Sequence, residues 1–366
     1  MNDRIRKGTP RRWTALIVLA VLLVVTQIPL PYYYSQPGDA APLGEMISVD
    51  SGNGEVGEFY LTTIRQRRAT IPLFIWAKFS SYREVVPTDA FLLEDETDEE
   101  YFHRQTMLMD SAQEAAKITA YEAAGFPFDV KFQGIRVTQV IEGMDAANHL
   151  KEGDLITKLR GEPITTLEEL NSLLADEKAG EEVELTIKRD GATKDVVVEM
   201  DTFPAEMGQY DKVGLGLLYP FTQRDVTFDP EVTIDAGAIG GPSAGLMFSL
   251  EIYNQLIEKD LTGGLDVAGT GTIDEDGNVG RIGGIDKKIV AAHKAGVDVF
   301  FAPDDDLATP SNYQIAVKTA EELGTDMVVI PVKEFNDAVS YLENRLKEKT
   351  AVQEDSLELA AFSFRL

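Results

Sequence analysis

Residues 240–259 read GGPSAGLMFSLEIYNQLIEK, two glycines, a proline and a serine leading straight into a stretch that makes an apolar-faced helix. Small residues around a serine at a helix start let backbone approach a substrate carbonyl. The free N–H groups and positive end of the helix can then hold an oxyanion. A serine at a helix start is as a rule only a cap, so this stretch needs a second one beside it. That stretch is Val267-Ala268-Gly269-Thr270-Gly271-Thr272, followed by a hairpin turn at Asp276-Gly277-Asn278. It continues as Val279-Gly280-Arg281-Ile282-Gly283-Gly284-Ile285-Asp286-Lys287-Lys288, and IVAAHKAG (289–296) completes a helix. The acidic turn at 274–278 lacks the loop length and closing glutamate of a calcium loop.

Taken together, the PSAG stretch and the Gly-Gly-Ile-Asp-Lys-Lys stretch resemble the proteolytic domain of the Lon family over residues 231–303, and more loosely to about 345. The resemblance implies Ser243 as nucleophile, Lys288 as its base, and Thr270 and Gly241 as supporting residues. The family often has an aspartate where this chain has Gly240, which puts any third polar group in doubt. Helix geometry favours Lys288 over Lys287 independently. Residues three or four apart share a face, so Lys288 lies with Ile285, Ala291, Ala292 and Ala295, whereas Lys287 aligns with Lys294 on a more solvent-like face. An apolar stripe supplies the desolvation that lowers a lysine pKa toward working pH. His293 is the competing base.

Upstream, the texture is of short strands: GIRVTQVI (134–141), Gly153-Asp154-Leu155-Ile156, and EVELTIKR (182–189) with a turn at Asp190-Gly191. Thr166 to Glu169 forms a capping-box pattern opening a short helix. Strands around one short helix suggest a small, partly open β-barrel, and residues 126–202 resemble a PDZ domain of the bacterial protease type. The resemblance implies an extended peptide bound by strand addition. Phe132-Gln133-Gly134-Ile135 is the candidate binding loop, with Gly134 and Ile135 as peptide-binding residues. Met144-Asp145-Ala146 replaces the family's usual Ser-Pro-Ala.

Trp13 to Leu30 is uncharged and follows Arg4, Arg6, Lys7, Arg11 and Arg12. As a helix it would span about 27 Å, close to the hydrocarbon thickness. A signal peptide shares the basic-then-apolar order, but no small-x-small site follows directly; Pro31 and three tyrosines do, as suits a membrane interface. The basic flank places the remainder outside the cytoplasm. The first twelve residues carry a local +4, leaving −32 of the net −28 on the rest. Such acidity argues against nucleic acid and serves solubility.

With 366 residues the chain has room for two or three cores. The absence of cysteine excludes thiol catalysis, disulfides and Cys-based zinc sites, and three scattered histidines without HExxH spacing argue against a metal. No cofactor is expected. No G-x-x-x-x-G-K-[ST] occurs, so these residues encode no Walker-type ATPase. The acidic run Glu94–Glu100 reads as a solvated face or loop, and 110–125 as a helix closed by Gly125.

The expected fold class is an α+β multidomain chain: a single N-terminal transmembrane helix, a PDZ small β-barrel and a Lon-type proteolytic α/β domain. The segments are a cytoplasmic basic piece (1–12), the membrane helix (13–31), an extracytoplasmic tether and juxta-domain region (32–125), the PDZ domain (126–202), the proteolytic domain (203–345) and a C-terminal tail (346–366). The alternative organisation inserts the PDZ module into the catalytic domain, with the strand at 57–64 belonging to the peptidase. The whole resembles the bacterial membrane-bound PDZ-Lon peptidases. That implies ATP-independent cleavage of unfolded or exposed protein segments outside the cytoplasm, with protein or peptide substrates, a lipid bilayer contact through 13–31 and homo-oligomer formation. The other reading is a catalytically inactive, membrane-tethered PDZ adaptor on a Lon-like scaffold, against which the presence of both Ser243 and Lys288 counts.

Overall fold

The computed structural model describes residues 10–50, 57–92, 96–204, 212–305 and 309–363. They form two compact units, Met1–Pro127 joined with Asp229–Leu366, and Phe128–Phe228. The second unit is therefore inserted into the first. This corrects the linear order of tether, PDZ domain and proteolytic domain at 32–125, 126–202 and 203–345.

The first unit is built on a mixed six-stranded sheet in the order Val328–Val332, Val299–Pro303, Asp266–Gly269, Glu58–Thr70, Pro29–Pro42, Glu84–Pro87. The first four strands run parallel to one another, and the remaining two pairings, Glu58–Thr70 with Pro29–Pro42 and Pro29–Pro42 with Glu84–Pro87, are antiparallel. Half of this sheet comes from the region expected to hold tether and juxta-domain chain, and the strand expected at 57–64 is part of Glu58–Thr70. The prolines and glycine of Pro29–Pro42 suggested irregular chain, but the strand absorbs them at two register shifts, Pro29/Tyr33 and Pro37/Ala40. Its tyrosines are core residues rather than an interfacial belt: Tyr33 and Tyr34 are 1% and 2% exposed. Tyr33 donates to Asp98, which also accepts from Arg68 Nε at 2.7 Å. Of the expected tether, residues 51–56 lie outside the described residues.

The helix expected at 110–125 is longer, Asp98–Ala124, and ends at Gly125 in the left-handed conformation (φ 73°). Thr97 and Glu100 close a capping box at its start. The second half of the acidic run is the first helical turn, a solvated face where exposed Glu99 and Glu100 meet the positive helix end. Residues 94 and 95 lie outside the described residues. The tail expected at 346–366 continues a helix, Phe335–Ser363, through a sequence with no glycine or proline to stop it.

At the N-terminus the helix is Pro10–Val25, 16 residues and so about 24 Å long. The chain becomes strand at Pro29, so a helix over 13–31 does not form; no helix among the described residues is long and apolar enough to cross a membrane.

The main sheet of the inserted unit runs in the order Ala192–Glu199, Glu182–Arg189, Leu155–Leu159, Phe128–Arg136, Phe221–Phe228. Phe128 lies opposite Phe228, so the two ends of the insert leave side by side. Thr166 caps the helix Leu167–Leu174 by accepting from Glu169 N–H. Ile135, Ile156, Leu185, Ile187 and Val198 fill the core. The Gly-Asp-Leu-Ile sequence has a structural reason. Gly153 turns at φ 86°, and buried Asp154 accepts from Lys151 N–H and from both guanidinium arms of Arg189, at 2.9, 2.6 and 2.6 Å.

Candidate active site

Ser243 sits in a single 3-10 turn, Pro242–Ala244, that runs into the nucleophile helix Gly245–Leu256. Gly245 must be glycine: a Cβ there would lie 2.7 Å from Ile273 Cγ2 and 2.9 Å from Ile273 N. That close approach lets the Thr270–Ile273 segment lock onto the turn. Gly271 N–H donates to the Ser243 carbonyl at 3.0 Å, Thr270 Oγ1 donates to the same carbonyl at 2.9 Å, and Leu246 N–H donates to the Gly271 carbonyl at 3.2 Å. The two glycine-rich stretches of the sequence are two sides of one joint.

The lysine helix, Ile285–Ala295, starts from Gly284 at φ 66°, where an added Cβ would be 2.4 Å from Ile64 Cδ1. Ile285, Ile289 and Ala292 anchor it in the core. Lys288 Nζ then lies 2.8 Å from Ser243 Oγ and 2.9 Å from Thr270 Oγ1. Lys288 is 3% exposed, and burial pulls its pKa down to about 7. Ser243 itself is half-buried and so remains reachable. A neutral amine can donate one N–H to Thr270, whose own hydroxyl hydrogen is committed to the Ser243 carbonyl. Its lone pair is then free for the Ser243 proton, the arrangement of a serine nucleophile with a lysine base.

The structure brings Ser243, Lys288 and Thr270 together and leaves other expected residues out. His293 is exposed on the far end of the lysine helix. Lys287 is not on a solvent-like face as its spacing suggested; it is equally buried, held by Glu84 at 2.9 Å and Asp286 at 3.2 Å. Gly241, at φ 88°, donates its N–H to the carbonyl of Gln105 at 2.8 Å. Gly240 has the same neighbour: a Cβ there would come within 3.1 Å of Gln105 Cβ. Gln105, on a helix far away in sequence with no motif around it, gave no signal.

Gly134 and Ile135 are not a binding loop. They lie inside Phe128–Arg136, which is paired on both sides: Gly134 with Gln223, Ile135 with Thr222 and Ile156. Ile135 is fully buried, and a Cβ on Gly134 would be 2.2 Å from the Ile156 carbonyl oxygen. Glycine there serves close strand packing. Among the described residues, Phe221–Phe228 is the last strand of the sheet on this side. The helix Leu167–Leu174 is tied to it by Leu167 N–H donating to Thr222 Oγ1 at 2.9 Å. The strand lies past the expected module end at 202, which is why the sequence reading missed it.

A buried lysine against a serine at a helix start defines a serine-peptidase type of site, and the comparisons agree with it. Residues 219–344 match the Lon protease (S16) C-terminal proteolytic domain family, and residues 111–200 match the PDZ domain family. Lon protease of Mycoplasma mobile is 24% identical over 233 residues, covering 55% of this chain and 27% of that protein. Lon protease of Campylobacter jejuni is 35% identical over 102 residues, 28% of this chain and 12% of that one. The periplasmic pH-dependent serine endoprotease DegQ of Escherichia coli is 36% identical over 87 residues, 24% of this chain and 19% of that one. The chain thus spans about a quarter or less of the length of these relatives. It carries a Lon-type serine-peptidase domain together with a PDZ domain, a pairing consistent with a PDZ-Lon peptidase.

Proposed function

We propose that this chain is a membrane-anchored, ATP-independent serine endopeptidase that hydrolyses unfolded or exposed protein segments outside the cytoplasm. The observation that carries the chemistry is the 2.8 Å contact between the buried Lys288 amine and Ser243 Oγ. Lys288 takes the hydroxyl proton as Ser243 attacks the peptide carbonyl, then returns it to the leaving amine. Water deacylates the enzyme with the same base. The oxyanion is held at the start of the nucleophile helix, by backbone N–H groups and the positive helix end. The inserted unit binds an extended peptide by strand addition beside Phe221–Phe228, the last strand of its sheet among the described residues.

The anchor reading rests on the uncharged run from Trp13 and its basic flank. Every side chain from Trp13 to Ala20 is exposed, as lipid contact requires. The extracytoplasmic reading rests on the same flank and on the similarity to a protein named as periplasmic. Homo-oligomer formation is supported only by the resemblance to Lon-type domains. The test is incubation of the full chain in detergent with a permanently unfolded protein, alongside its Ser243→Ala form. Cleavage by the first and none by the second is expected. No cleavage by either would favour the inactive adaptor.

A further inference from the structure

We propose that the segment Ile71–Phe79 is a lipid-docking surface that seats the catalytic unit directly on an anionic bilayer. The proposal rests on the membrane anchor above. The first argument is chain length. The N-terminal helix ends at Val25, and Pro29 is already paired with Thr70. Four residue steps span at most about 14 Å. A bilayer holding the helix therefore has the end of the Glu58–Thr70 strand at its surface, and the next residue is Ile71.

The second argument is what that segment shows to solvent. The helix Ile71–Ala77 packs inward through Ala77 and Leu73 onto Tyr34, Leu30 and Tyr32. Outward it presents Ile71, Ile75, Trp76 and, just past its end, Phe79, at 37, 54, 58 and 83% exposed. Ile71 and Ile75 lie four residues apart on one face of the helix, and Phe79 follows just past its end. Exposed large apolar groups grouped this way mark an interaction surface rather than ordinary solvent-facing chain.

The third argument is charge, which selects the occupant. In a chain of net charge −28, residues 59–83 contain no acid and five bases, Arg65, Arg67, Arg68, Lys78 and Arg83. Arg65 and Arg68 are paired with Asp39 and Asp98. Lys78 lies over the Phe74 ring and Arg83 over the Trp76 ring, at 5.4 and 5.1 Å. Aromatic rings flanked by cations are the composition of a membrane–water interface, where the rings enter the headgroup boundary and the cations meet anionic lipid.

The two tryptophans of the chain, Trp13 and Trp76, make the test. The full-length Trp13→Phe and Trp76→Phe variants are each reconstituted in phosphatidylcholine–phosphatidylglycerol vesicles, with and without bromine on the upper acyl chain. We expect Trp76 emission to be quenched by brominated lipid and shielded from aqueous acrylamide, as Trp13 is quenched by lipid. Trp13 quenched while Trp76 stays open to acrylamide overturns docking and keeps the anchor. Trp76 shielded from acrylamide but unquenched by lipid means a protein surface covers it, and overturns docking too. Trp76 quenched without Trp13 keeps the surface and removes the anchor, whereas neither quenched removes both.

Discussion

Lys287 and Lys288 are adjacent and equally buried, each 3% exposed, yet their amines have opposite surroundings. Lys287 Nζ meets two carboxylates, Glu84 and Asp286, and Lys288 Nζ meets two hydroxyls, Ser243 and Thr270. Hydroxyls in an apolar setting leave burial unopposed, and only then does the amine become a base near neutral pH.

Exchanging each lysine for methionine separates the two roles. Lys288→Met should lower kcat on a short peptide by at least about a thousandfold, since the serine loses its base. Lys287→Met should leave kcat within a few-fold and reduce stability by about 1 kcal/mol, because exposed Glu84 can be resolvated. Equal loss of activity in both variants would show that the Glu84 pair, too, holds the site together.

The rate should titrate with Lys288. Its pKa near 7 means kcat/KM rises with pH through about 7 and then levels. Stability should follow in the same direction. The folded-state pKa lies below the unfolded value of about 10.4, so between the two the unfolded chain binds more protons and stability increases as pH rises. Lys288→Met should remove that slope. Lys288→Arg stays charged and should be inactive throughout. A pH–rate profile with a midpoint unchanged in His293→Ala fixes the assignment; loss of activity in that variant would move the base to His293.

Thr270 links the lysine amine to the Ser243 carbonyl and is expected to act as a positioning residue. Thr270→Val removes both hydrogen bonds, about 1–3 kcal/mol of orientation, and should cut kcat by about ten- to a hundredfold with little change in KM. The pH midpoint should move down, because the ammonium loses an acceptor. Thr270→Ser should restore both rate and midpoint. A valine variant with an unshifted midpoint would make Thr270 a packing residue only.

The sequence displayed the joint between PSAG and the Thr270–Gly271 segment because both need small residues, and those are visible without a structure. Gly245 and Gly284 face backbone or side-chain atoms within 3 Å of an absent Cβ. The parts that stayed hidden depend on contacts distant in sequence. Pro29–Pro42 looks irregular until Glu58–Thr70 and Glu84–Pro87 pair with it. Gln105 reaches Gly241 from a helix 136 residues earlier, with nothing local to mark it. Gly134 has the same local appearance whether it lines a groove or lets two strands close up; the Ile156 carbonyl decides. Lys287 was misjudged because periodicity reports a face, and an element 203 residues away covers that face.

The ion pair of the inserted unit gives a test that leaves the chemistry untouched. Asp154 is 1% exposed and Arg189 20%, and two 2.6 Å hydrogen bonds join them. Burial alone would raise the Asp154 pKa, but Arg189 and the Lys151 N–H hold it below the usual carboxylate range. Its contribution is therefore present above that range and lost only as acid protonates the folded carboxylate. Asp154→Asn leaves the half-buried guanidinium without its counter-charge and should destabilise the unit by about 2 kcal/mol. The loss is read as faster amide exchange at core strand positions such as Ile135, Ile156 and Ile187. The double variant Asp154→Leu with Arg189→Met should recover most of it, because a well-packed apolar pair replaces a desolvated ionic one. Both variants should hydrolyse a short unstructured peptide at the parent rate, while only the Asp154→Asn form loses efficiency on a long unfolded protein that uses the Phe221–Phe228 edge. Equal loss on the short peptide would give the inserted unit a structural part in the active site and remove its role as a separate binding module.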